Sequence, residues 1–518
     1  MYLGTFLAAF DGTMVAALGG VISSEFGDFG AIAWIQSSFL IACAAFQPLF
    51  GKLTDIFGRR SGLIFCNIFF GVGCAVCGMS TSVWVLVAGR AIAGIGGGGL
   101  TASNTITTSD LVSLRQRGFY QGIGNLVFGA GAALGGVIGG YLADIIGWRA
   151  AFSIQVPLII VSGFIVAMKL HIPPEVTAAL TGQNVHDVVH ATLSNRLRRV
   201  DFLGSFTLIT SLLLFLYSLS SGGTVYAWSS PIIIACFSAS LVVLAVFVYV
   251  ELCIAKEPVS PLHSMTNRSV LGAALMNWFT TMAVYVVLFY TPIYFIAVLG
   301  TSTKAAGSRL ISNFVGASTG SLGSGLYMRK TGKYRNSSIM ASFLYVVGML
   351  PIIFIGEHPH ILVEYTALFL PGLCYACILT TTLIASIAAV PVEYQATTTS
   401  IQYAFRGTGS SIGVTVAACV FQNVLKRQSH ARVTGPDADT IIESALKSIE
   451  VVSKSPEPAH SQVVTSYYTG LQSTFICGTC LAVSSFSFSF LIKDYHSHTT
   501  VHRSEAPTEA SETTPLTA

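Results

Sequence analysis

The chain has 518 residues, of which 53% are hydrophobic and only 10% charged, and its mean hydropathy is +0.69. That balance excludes a soluble domain, which needs polar surface to cover its core. The net charge of +4 comes from few charges and includes no basic tract, which argues against nucleic acid as a partner.

Apolar runs of about 20 residues recur along the chain, each long enough to cross the roughly 30 Å hydrocarbon layer as a helix. They predict spans near 1–23, 31–50, 61–81, 83–106, 118–143 and 149–169. A polar segment follows, then two spans near 202–221 and 230–254. Six more lie near 270–299, 305–327, 337–356, 361–389, 396–424 and 467–492. Backbone groups in lipid must be bonded within the segment, so the pattern implies an all-α polytopic bundle of about fourteen helices. No run shows the alternation of a membrane strand. The first ten residues lack a basic region and Asp11 interrupts the apolar run, so a cleaved signal peptide is not expected.

Lys and Arg collect on the cytoplasmic side of short loops. Here they cluster after even-numbered spans, at Lys52, Arg59, Arg60, Arg115, Arg117, Lys169, Arg196, Arg198, Arg199, Lys256, Arg268, Arg329, Lys330, Lys333 and Arg335. After odd-numbered spans the short loops offer Arg149, Lys304 and Arg309. Both termini are therefore expected in the cytoplasm, and the sequons at Asn267 and Asn336 are expected to stay unglycosylated. The division that follows is 1–169 as an N-terminal six-helix bundle, 170–201 as a cytoplasmic linker and 202–255 as two linker helices. Residues 256–493 form a C-terminal six-helix bundle with a long non-cytoplasmic loop at 425–466, and 494–518 a disordered tail.

Several motifs lose their usual meaning in this setting. The CxxC pairs Cys74/Cys77, Cys374/Cys377 and Cys477/Cys480 lie inside apolar runs and read as small packing residues. Gly94, Gly96 and Gly99 spell GxGxxG within a membrane helix, which favours close helix packing over a nucleotide loop. His186 and His190 in "HDVVH" have Asp187 where a zinc hydrolase needs glutamate, with no third ligand evident. No metal, cofactor or enzymatic chemistry is expected.

Two ionisable residues stand inside apolar runs of the first half, Asp11 and Arg90. Each costs at least about 2.5–3.5 kcal/mol at the bilayer centre, so each should face the interior. Asp11 reads as a proton-exchanging carboxylate or as a loop residue at a misplaced boundary. Arg90 should pair with a carboxylate or a backbone carbonyl. The halves also resemble each other: "FGAGAALGG" at 128–136 aligns with "RGTGSSIGV" at 406–414, and "FGRR" at 57–60 with "TGKY" at 331–334. Such duplication points to a two-fold pseudosymmetric transporter with substrate between the halves. Arg406 replaces the aligned Phe128, at a substrate site or in a gate salt bridge. Asn104, Asn125, Asn277, Asn313, Gln402 and Tyr403 are polar residues within spans, candidates for the cavity or for interhelical hydrogen bonds.

"GKLTDIFGRR" at 51–60 resembles the G-x-L-x-D-x-x-G-R-[RK] loop of the major facilitator superfamily. "AGRAIAGIGGGG" with Arg90, and "GAGAALGGVIGG" with Gly131, Gly135, Gly139 and Gly140, resemble further motifs of that superfamily, the second its antiporter motif. "FDGTMVAALGG" is similar to the opening of its fourteen-span drug:proton antiporters. Gly136 and Gly19 stand where prolines are usual. The resemblance implies two pseudosymmetric six-helix bundles plus two extra helices, with Arg90 tied to proton coupling. It also implies Gly51, Asp55, Gly58, Arg59 and Arg60 as a conformational latch, in which Gly51 and Gly58 allow a tight turn and Asp55 caps a helix or pairs with an arginine. The runs "GRAIAGIGGGGL", "SDLVSLRQRGFYQGIGN" and "GWRAAFSIQVP" look most like fungal vacuolar basic amino acid transporters. That implies proton antiport of Lys, Arg and His into the vacuole. A cationic amino acid needs a carboxylate for its side chain and a cation for its α-carboxylate, which Asp11 and Arg406 or Arg90 supply, and a monomer is expected. A plasma-membrane exporter of drugs or toxic metabolites on the same scaffold is the alternative, and a non-transporting nutrient sensor a third reading.

Overall fold

A computed structural model of the chain describes residues 1–26, 31–112, 114–173, 176–178, 192–222, 226–255, 265–301, 303–356, 359–433, 442 and 459–494. The HDVVH histidines, most of the 425–466 loop and the tail beyond 494 lie outside these residues. Apart from an isolated bridge between Gly222 and Tyr226, the described residues are helix and connections.

The first half contains α1 (Tyr2–Phe26), α2 (Ala31–Phe57), α3 (Arg59–Gly78), α4 (Val83–Leu111), α5 (Leu114–Ile146), α6 (Trp148–Ser153) and α7 (Gln155–Lys169). A short α8 (Leu193–Arg198) precedes α9 (Phe202–Ser221) and α10 (Pro231–Cys253). The second half contains α11 (Arg268–Ala297), α12 (Thr303–Thr331), α13 (Arg335–Ile353), α14 (Ile361–Thr366), α15 (Phe369–Ala388), α16 (Gln395–Arg432) and α17 (Ala459–Ser489). Taking α6–α7 and α14–α15 as single segments, twelve helices among the described residues are long and apolar enough to cross a membrane. The 25-residue α1 and 29-residue α12 pack among them.

Proline explains both broken spans. Pro157 and Pro371 have no N–H for the carbonyls four residues earlier, Ser153 and Ala367, and the helix breaks there in each case. Two connections predicted as tight turns are set by Gly58 (φ 89°) and Gly332 (φ 69°), 274 residues apart, in the left-handed region that glycine enters at little cost. Where hydropathy predicts an end at 424, α16 continues to Arg432. Its 38 residues span about 57 Å at 1.5 Å per residue, so it outruns the hydrocarbon layer that the sequence pattern measures. Arg309, counted with the basic residues of the preceding loop although the predicted 305–327 span contains it, lies inside α12, buried and paired with Glu364 at 2.5 Å.

Helix α1 packs on α5 and α4, α4 on α2 and α3, and α3 on α7. In the second half α11 packs on α17, α16 and α15, and α15 on α12 and α13. The sets meet along α5–α12, α2–α16, α5–α15 and α4–α16, while α9 lies against α2 and α16 and carries α10. Glycines fix the closest approaches. On α5, a Cβ at Gly131, Gly135 or Gly139 would strike Phe6 O, Phe10 O or Met14 on α1. On α16, a Cβ at Gly409 or Gly413, 278 residues beyond the first two, would come within 2.9 or 2.6 Å of the carbonyls of Trp278 or Met282 on α11. The duplication seen in the sequence is thus a repeated packing surface. Gly140 differs from its three motif partners, because nothing lies within 4 Å of a Cβ placed on it.

Candidate functional site

The glycine seam brings α1 close to α5, and α1 delivers Asp11 to the centre of the first half. Asp11 is fully buried and Arg90 nearly so, and the Arg90 Nη1 donates to Asp11 Oδ2. Arg90 Nε also donates to the Ile35 carbonyl at 3.3 Å, and its guanidinium stacks 4.3 Å from the Phe39 ring centroid. Gln155 Nε2 reaches the other oxygen, Asp11 Oδ1, at 3.4 Å. The reading of Asp11 as a loop residue is therefore wrong: it joins α1, α2, α4 and α7 in one polar knot. Gln155 lay within the predicted 149–169 span and was passed over there, because one sequence does not show which polar residue of a span meets a buried charge. A buried pair of this kind costs several kcal/mol of desolvation per ion, and removing one partner costs about 3–5 kcal/mol.

The 51–60 segment is built differently from the predicted turn. Gly51 sits inside α2, where a Cβ would strike Ser400 Oγ and approach the Ala396 carbonyl of α16 at 2.8 Å, so it is a contact between halves and not a turn residue. Gly58 alone makes the turn. Asp55 caps nothing, since Gly58 occupies the N-cap of α3 without a side-chain bond. Asp55 instead pairs with Arg59 at 2.5 Å, and Arg59 also donates to Asp110 Oδ2 at 2.7 Å and Thr54 Oγ1 at 2.8 Å. Arg59 is buried while Arg60 is exposed, so neighbouring arginines have separate environments. Asp110, at the end of α4, was missed; its signal was an acid closing an apolar span directly before the basic run at 115–117.

Between the halves lies a small cavity of about 20 Å³, lined by Gln121, Asn277, Leu379, Thr382, Leu383, Gln402, Tyr403 and Arg406. It holds at most one or two waters, far less than an organic substrate, so the halves are drawn together at this level. Tyr403 shares a 2.6 Å hydrogen bond with Thr105 of α4. Asn125 of α5 donates to Ser321 of α12 at 2.9 Å and to Thr380 of α15 at 3.4 Å. Arg117 Nη1 donates to Gln395 Oε1 at 2.7 Å. These bonds, with Gly51 against Ser400, bridge the halves toward the end of the bundle that carries the basic loops. Asn277 donates to the backbone and side chain of Gln402 at 3.2 Å, and Gln402 to Ser386 at 2.5 Å. Asn104 bonds Thr5 and Asn313 bonds the Leu368 carbonyl, each within its own half and away from the cavity.

Among the described residues Arg406 forms no ion pair, so a gate salt bridge at Arg406 is not seen among them. Its guanidinium lies 5.8 Å from both the Phe128 and the Tyr403 ring centroids. Asp11 does not line the cavity, because Arg90 and Gln155 take its oxygens. The expected Asp11–Arg406 grip on a zwitterion is therefore not assembled.

The Major Facilitator Superfamily model matches residues 1–414. The chain belongs to the major facilitator superfamily. Two fission yeast (Schizosaccharomyces pombe) members of the superfamily match over nearly the full length. Multidrug resistance protein fnx1 is 37% identical over 97% of this chain and 93% of its own. Vacuolar membrane amino acid uptake transporter fnx2 is 35% identical over 95% and 83%. The solved proton:xylose symporter XylE shares the superfamily fold, with a TM-score of 0.60 at 14% identity over 94% of this chain and 93% of that one. This superfamily member is accordingly an integral, multi-pass membrane transport protein of the alternating-access type, not an enzyme.

Proposed function

We propose that the chain is a proton-coupled antiporter that exports amphipathic drugs or toxic metabolites from the cytoplasm. The observation that carries this reading is the charge of the central cavity. Its ionisable lining is a cation, Arg406, flanked by the Phe128 and Tyr403 rings, with no carboxylate among the lining residues. A basic amino acid placed there would set its side-chain cation against Arg406 at low dielectric, where like charges repel strongly. An apolar or aromatic body stacks on the same rings. The identity to a multidrug resistance protein supports this choice. Fourteen spans, both termini in the cytoplasm and two six-helix bundles around the 202–255 pair complete the architecture. In this arrangement the bonded basic end is the closed cytoplasmic side, and opening it enlarges the cavity to receive substrate.

Asp11 and Arg90 are the coupling pair of the proposal. A proton arriving at Asp11 neutralises the carboxylate and releases Arg90, so one proton switches a buried bond that ties α1 to α4. The 51–60 segment with Asp110 is the latch that holds α2, α3 and α4 as a unit against α16. A second reading, uptake of basic amino acids into the vacuole, is favoured by the identity to a vacuolar amino acid uptake transporter. Proteoliposomes with an acidic lumen separate the two. The proposal expects uptake of an amphipathic fluorescent dye that excess lysine does not reduce. Uptake of labelled lysine, competed by arginine and driven by the proton gradient, would replace it with the second reading.

A further inference from the structure

The aligned positions 128 and 406 meet in space. The Arg406 guanidinium is 5.8 Å from the Phe128 ring centroid, so two aligned positions of the repeat face each other between the halves, the region where duplicated transporters bind substrate. At that point the duplication is broken: an aromatic ring in one half faces a guanidinium in the other. The Tyr403 ring lies as close to the guanidinium as Phe128 does, and Tyr375 and Tyr285 stand near enough to interact with its charge. Hydroxyls and rings solvate a cation, but none carries the opposite charge. Arg is also the side chain whose planar fork matches a carboxylate in two parallel bonds.

We propose that this site binds an organic anion, a carboxylate attached to a flat apolar body, with Arg406 holding the carboxylate and Phe128 and Tyr403 stacking on the body. The inference rests on the export reading for its direction of transport, and it adds the charge of the cargo. Arg406 is half-buried with no carboxylate in the cavity lining, and at low dielectric a substrate that supplies the opposite charge gains more there than its neutral isostere. Gln121 and Asn277, both lining the cavity, are placed to discriminate among polar substituents on the bound molecule.

The test uses the purified full chain in nanodiscs and three naphthyl probes of equal shape: anionic 1-naphthoate, neutral 1-naphthamide and cationic 1-naphthylmethylammonium. Binding followed by naphthyl fluorescence is expected to give naphthoate at least about tenfold tighter than the amide, with the cation weakest. Arg406→Gln should bring naphthoate level with the amide, and Arg406→Lys should keep the anion ahead. Equal affinities across the three probes in the parent protein, or tightest binding of the cation, would overturn the site without use of any variant. An unchanged preference for naphthoate in Arg406→Gln would overturn the role of Arg406. Proton-driven dye uptake is measured on the same preparation. If that uptake is present and the charge order is reversed, the anion site alone falls. If uptake is absent and the charge order holds, the export reading falls and the site stands.

Discussion

Replacing Arg59 with methionine removes one cation from between two carboxylates. Asp55 and Asp110 would be left within the same buried pocket, with side chains 12% and 5% exposed. Breaking a buried ion pair from one side costs about 3–5 kcal/mol. A melting temperature moves by about 2–4 °C per kcal/mol in a chain of 150–250 residues, and by about half that in one twice as long. Arg59→Met should therefore melt about 3–10 °C below the parent protein in detergent, measured by intrinsic fluorescence at a fixed scan rate. Arg59→Lys, which keeps one charge but not the fork, should fall between. A melting temperature within about 1 °C of the parent would refute the view that Arg59 is held by both acids.

Other outcomes follow from single contacts. Asp11→Asn should insert normally and still exchange substrate for substrate, but lose gradient-driven uptake by at least about tenfold; normal driven uptake would remove Asp11 from coupling. Asp55→Ala should slow turnover more than it weakens binding, since Asp55 lies outside the cavity; weaker binding at unchanged turnover would contradict the latch. Gly51→Leu forces a side chain against Ser400 and the Ala396 carbonyl, so a cysteine introduced at Gln121 should label faster from the basic end than in the parent background. Gly135→Val should cost about 1–3 kcal/mol by overpacking against the Phe10 carbonyl, read as a lower melting temperature, whereas Gly140→Val, facing open space, should melt as the parent does.

The fold was legible because a bilayer imposes one length and one bonding rule on every crossing segment. The repeat could be read too, since Gly131 and Gly135 recur as Gly409 and Gly413 and the turn glycine Gly58 recurs as Gly332. The candidate site was legible only in its charges. An ionisable residue in an apolar run announces itself, so Asp11, Arg90 and Arg406 were found, but composition does not say which charges meet. Arg90 captures Asp11 through helix packing set in part by the α5 glycines, and that leaves Arg406 without a carboxylate among the described residues. Gln155, Asp110, Thr105 and Gln121 sit at helix ends or among small polar residues, where one sequence offers no contrast. Gly51 was misread for a related reason: beside Gly58 it looks like half of a turn, and only the neighbouring helix explains it.

Proton movement during transport tests the central claim most directly. Proteoliposomes loaded with a pH-sensitive dye and given an acidic lumen should become more alkaline inside when an accepted amphipathic substrate is added outside, in step with its uptake, and should show neither change with Asp11→Asn. Substrate uptake with no change in lumenal pH, or with further acidification, would contradict proton antiport.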